Sequence, residues 1–84
     1  MRRERAFRGI SKRLAIHYLT GLGGEQVGES RVEGDAWSVT LSTDTVNIGP
    51  SLTLTEVTLV FEGDPETLPD VIDRFAQKAM RAGG

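Results

Sequence analysis

An α+β domain, with a helix at each end of an antiparallel sheet of about four strands, is the fold class this sequence predicts. Three observations lead there. Apolar residues recur every three or four positions near the start of the chain, they do so again after residue 65, and between those stretches they alternate every second residue. Short links containing glycine or proline join the stretches, so elements adjacent in sequence are expected to lie side by side.

The first helix is expected near residues 3–20, because Phe7, Ile10, Leu14 and Tyr18 fall on one face at helical spacing. Gly21, Gly23 and Gly24 close it, since glycine takes a left-handed conformation at little steric cost. Gln26 to Val32 reads as a strand, followed through Glu33-Gly34-Asp35 by a clearer one in which Trp37, Val39 and Leu41 alternate with Ser38, Thr40 and Ser42. Val46 and Ile48 suggest a short third strand, stopped by Gly49-Pro50. Leu52 to Phe61 is a long strand whose apolar parity changes near Thr55-Glu56. Either a β-bulge or two ends that pack against different things would produce that change.

Asp64-Pro65-Glu66 announces the second helix, expected near 65–81: an aspartate to cap free amides, a proline suited to the first turn, and a glutamate near the positive end of the dipole. Leu68, Val71, Ile72, Phe75 and Ala79 line one face, and Arg74, Lys78 and Arg81 fall toward the negative end. The expected core is Phe7, Ile10, Leu14, Trp37, Val39, Leu41, Leu59, Phe61, Leu68, Ile72 and Phe75.

One small domain over residues 1–84 accommodates all of this, with a short flexible tail at 82–84. The absence of cysteine excludes disulfide scaffolds and thiolate chemistry, and fits a reducing compartment. No apolar run approaches the roughly 20 residues that span a bilayer, and arginines without an apolar segment follow Met1, so a cytoplasmic, membrane-free protein is expected. The formal charge of −2 is segregated: residues 1–20 carry +5, residues 21–73 carry −10 and residues 74–84 carry +3. Such a chain can pair within itself, with another copy as a homodimer, or with an anionic partner.

No catalytic constellation is apparent, and the protein is not expected to be an enzyme. His17 stands alone between Ile16 and Tyr18, without a nucleophile or carboxylate at a telling spacing. Glu62, Asp64 and Glu66 resemble a metal cluster only until Asp64 is read as a cap, so neither a metal nor a bound cofactor is expected. The three glycines after the first helix lack the strand-before, helix-after setting of a phosphate loop. Trp37 shares parity with Val39 and Leu41 and reads as core. Arg2, Arg3, Arg5, Arg8, Lys12 and Arg13 make the start of the chain basic. On a helix Arg5, Arg8 and Lys12 would form a ridge able to follow phosphates, but an isoelectric point near 5.3 argues against nucleic acid as partner.

Gly83 and Gly84 are the sharpest candidate site. A segment without side chains is thin enough to enter a narrow active-site channel, and a carboxylate at its end suits ATP-dependent adenylation. A thiol or sulfide then attacks the mixed anhydride, and any nearby Cβ would crowd that attack.

Between Phe7 and Ala82 the sequence resembles the C-terminal domain of MoaD-related proteins. The resemblance is carried by Ile48-Gly49-Pro50-Ser51-Leu52-Thr53-Leu54-Thr55-Glu56-Val57 and Phe61-Glu62-Gly63-Asp64-Pro65-Glu66. It implies a TBP-like arrangement rather than a β-grasp, which begins with a hairpin and places one helix mid-chain. The ending Ala82-Gly83-Gly84 is similar to that of small archaeal modifier proteins. This second resemblance implies a ubiquitin-like modifier or sulfur carrier activated at Gly84 by an E1-like enzyme, with target proteins as further partners. The alternative expectation is a non-enzymatic protein-binding or dimerisation module of a MoaD-linked pathway.

Overall fold

The computed structural model describes the backbone of residues 1–83 and the side chains of residues 1–81. Its elements are β1 (Arg2–Arg8), α1 (Lys12–Gly21), β2 (Glu25–Gly28), β3 (Arg31–Gly34), β4 (Trp37–Asn47), β5 (Thr53–Gly63) and α2 (Leu68–Gly83). The five strands form one sheet in the order β1-β5-β4-β3-β2, with every neighbouring pair antiparallel. The α+β class holds, with five strands in place of about four.

The extra strand corrects the expected first helix. Residues 2–8 are extended and pair with β5, Phe7 lying opposite Val57, and the helix begins only at Lys12. Gly9, at φ 86°, turns the chain between the two elements in a conformation that side-chain-bearing residues rarely adopt. Ser11 then caps α1, its Oγ accepting a hydrogen bond from the Leu14 amide at 3.0 Å. The helical spacing of Phe7, Ile10 and Leu14 thus crosses a strand, a turn and a helix that all face the same core.

Three other boundaries move. The expected strand over 26–32 is a hairpin of β2 and β3 turning at Glu29-Ser30, and Val46 belongs to β4 rather than to a separate strand. The second helix begins at Leu68 rather than near 65, and Asp64 caps the turn that leads into it. Its Oδ1 accepts from the Glu66 amide at 2.8 Å and its carbonyl from Leu68 at 2.9 Å, so residues 65–67 form a lead-in turn and Pro69 sits in the first turn of α2, where no amide hydrogen is needed.

Both helices pack on one face of the sheet. Ile10, Ala15 and Leu19, with Leu68, Val71, Ile72, Phe75 and Ala79, cover Val32, Trp37, Val39, Leu41, Val57, Leu59 and Phe61. Phe7 and Leu14 are half-buried at the margin. The other face is open and largely polar: Arg8, Glu33, Ser38, Thr40, Ser42, Glu56 and Glu62 lie on it by strand alternation.

β4 and β5 pair without a register shift from Trp37↔Gly63 to Asn47↔Thr53, so no bulge causes the parity change in β5. Val57, Leu59 and Phe61 face the helices. Leu54 and its partner Val46 lie on the opposite face, beyond the reach of the helices, and Ile48 and Leu52 at the tip are 40% and 55% exposed. The two ends of β5 therefore serve different surroundings, and the projecting hairpin stretches the molecule to 43 × 24 × 21 Å.

Candidate functional site at the end of the second helix

α2 buries its apolar residues at positions 68, 71, 72, 75 and 79, which leaves an outer face that is polar except at exposed Met80 and small Ala76. Arg74 Nε pairs with Asp70 Oδ2 one turn back at 3.0 Å. Gln77, Lys78 and Arg81 continue along the helix, and with Gly21 and Leu22 at the end of α1 they line a shallow groove. This cationic groove is the last described landmark before the diglycine. Gly83 falls within α2, whereas Gly84, and with it the far end of the expected tail at 82–84, lies outside the described residues. Glycine at position 83 lowers the cost of unwinding that last turn by about 1 kcal/mol relative to alanine.

The remaining candidates are placed as follows. His17 is exposed on α1, and its nearest aromatic neighbour is the adjacent Tyr18, with ring centroids 6.2 Å apart. Asp64 is occupied in the turn before α2, while Glu62 belongs to the open sheet face, so they are not drawn together. Trp37 is buried against the core, as its parity with Val39 and Leu41 predicts. Gly21, Gly23 and Gly24 close α1: the Gly23 amide donates to Thr20 and the Gly24 amide to Leu19, both at 3.1 Å.

The basic ridge expected from Arg5, Arg8 and Lys12 does not form, because two of the three lie on a strand. Alternation sends Arg3 and Arg5 to the helix side of β1 and Arg2 and Arg8 to the open side. Arg8 pairs with Glu56 at 2.9 Å, and Lys12 donates to Ser30 Oγ. What sequence reading missed is the resulting basic sheet edge. Its signal was present in the alternation of Arg3, Arg5 and Phe7, but a helical period ran through the same residues.

A family model described as archaeal MoaD-like protein matches residues 3–84. The chain belongs to the archaeal MoaD-like protein family. No curated protein matches it. For this MoaD-like chain the match takes in both helices, nearly all of the sheet and the diglycine itself. No described helix is long and apolar enough to cross a membrane.

Proposed function

We propose that this MoaD-like protein is a small protein modifier or sulfur carrier whose reacting group is the carboxylate of Gly84. The observation that carries the reading is the family match, which extends through Gly83 and Gly84. An E1-like partner supplies ATP and forms the acyl adenylate, with pyrophosphate leaving. Attack by a sulfur nucleophile then displaces AMP, giving either a thiocarboxylate or an activated thioester from which a target lysine takes the chain. The absence of Cβ atoms at positions 83 and 84 leaves the carbonyl carbon open on both faces.

The chain begins with a strand and a helix rather than a hairpin, so the activating enzyme has to recognise a surface other than that of a β-grasp modifier. The cationic groove of Arg74, Lys78 and Arg81 runs along α2, the helix that leads into the diglycine in sequence, and is the surface we assign to that recognition.

The test is deletion of Gly83 and Gly84 in the native host. The last core residue among those described is Ala79, so the truncated chain is expected to fold with an unchanged circular dichroism spectrum. It is also expected to lose every conjugate and thiocarboxylate formed by the full chain. Persistence of those products in the truncated strain overturns the reading.

A further inference from the structure

β1 is an edge strand, and its register shows which of its groups are free. Met1 and Gly63 exchange both backbone hydrogen bonds at 3.1 Å, and the Gly9 amide reaches the Thr55 carbonyl at 3.2 Å. In an antiparallel ladder such bonded pairs recur every second residue, so Arg3, Arg5 and Phe7 point their backbone groups at β5. The amides and carbonyls of Arg2, Glu4, Ala6 and Arg8 therefore point outward, a ready template for another strand.

The side chains decide what that strand can be. Across the sheet, the row Val32, Val39, Phe61 ends on Arg3 and the row Leu41, Leu59 ends on Arg5. These two arginines, with Met1, Pro69, Ile72 and Asp73, line a groove of about 330 Å³ between β1 and α2. Arg5 also lies over the Phe7 ring, 5.6 Å from its centroid, which holds its guanidinium against the strand. Among the described residues neither Arg3 nor Arg5 forms an ion pair.

Four arginines against one glutamate in seven residues give β1 a net charge of +3, so two copies of the strand repel and an acidic strand is the better match. The acidic far edge of another copy is a poor fit: β2 has four residues and its pairing shifts register between Gln26 and Gly28. Asp73 gives the groove one acidic wall beside apolar Ile72 and Pro69, which favours a ligand whose groove-facing side chains mix carboxylates with an apolar residue.

We propose that the free edge of β1 is a docking strand for an extended acidic segment of a partner protein, which adds a sixth strand to the sheet and sets carboxylates on Arg3 and Arg5 and an apolar side chain on Ile72. Backbone bonds supply the affinity and the groove supplies the selection, as in other strand-addition complexes. This inference does not depend on the chemistry of Gly84.

The probe is a fluorescent seven-residue peptide, Thr-Glu-Thr-Glu-Thr-Val-Thr, whose second, fourth and sixth side chains share one face; it is titrated into the full chain by anisotropy and mapped by amide chemical shifts. The expected shifts fall on residues 2–8 and on Ile72 and Asp73. The double variant Arg3→Glu/Arg5→Glu is expected to weaken binding at least tenfold, and a lysine-for-glutamate peptide to bind no better than background. Ala6→Pro removes one outward amide without touching the β5 ladder and is expected to weaken binding while leaving the circular dichroism spectrum unchanged. Shifts confined to the open sheet face, equal affinity for both peptides, tighter binding of a single-stranded RNA of the same length, or peptide-independent dimerisation through β1 each overturn the proposal.

Discussion

Phe75 of α2 meets Phe7 of β1 edge to face, with ring centroids 5.1 Å apart and planes at 66°. The same ring stands 6.0 Å from Phe61 and 6.1 Å from Tyr18, both also edge-on, so one side chain joins the second helix to the edge strand, to its neighbour β5 and to the first helix. Such geometry sets the positive edge of one ring on the negative face of another.

Replacing Phe75 by alanine removes all three contacts at a fully buried site. The expected cost is about 3–5 kcal/mol, a large share of the stability of a domain this size. Chemical denaturation checks it, and an unchanged midpoint contradicts the packing of α2 described above.

At the β3–β4 turn, Gly34 pairs with Trp37, and a Cβ added to Gly34 would overlap the indole ring. Gly34→Ala is therefore expected to cost about 1–3 kcal/mol, as overpacking generally does, and to shift the emission of the single tryptophan as the ring is displaced. Unaltered emission and stability would show that the ring can move without cost.

Within that turn Ala36 adopts φ 64°, the left-handed region that disfavours a side chain by about 1–2 kcal/mol. Its carbonyl accepts from the Asp64 amide at 2.9 Å, which fixes the conformation. Ala36→Gly relieves the strain at some entropic cost, and a net gain of up to about 1 kcal/mol is expected, read as a rise in Tm of several degrees. A fall in Tm contradicts the strained assignment.

Where the sequence is legible, one element has one period. Trp37, Val39 and Leu41 alternate against serines and a threonine, and Leu68, Val71, Ile72, Phe75 and Ala79 recur as on a helix, so the first half of β4 and the body of α2 are read correctly together with their buried faces. The parity change in β5 also carries structural information: it marks where the hairpin passes the end of the helical layer and turns Leu54 to the other face. Residues 2–8 are misread because Phe7, Ile10 and Leu14 keep helical spacing by coincidence across a junction. Gly9 and Ser11 are the local signals of that junction, a turn former and a helix cap separated only by Ile10. Tertiary pairing with β5 decides the matter, and no local pattern encodes it. Of the candidate sites, the diglycine is visible as bare sequence. The basic edge emerges only when β1 is known to be a strand, since it depends on which arginines share a face.

The carboxylate of Gly84 is tested most directly by mass spectrometry of the protein and its conjugates from the native host. Arg81 is the last basic residue, so trypsin leaves Ala82-Gly83-Gly84 as an adduct on any lysine the chain has modified. The intact free chain separately reports whether its terminal oxygen has been replaced by sulfur. The expected result is one or both products from cells making the full chain and neither from cells making the chain without Gly83 and Gly84. Abundant free protein with an unmodified carboxylate, and no lysine bearing the three-residue remnant, would contradict the account.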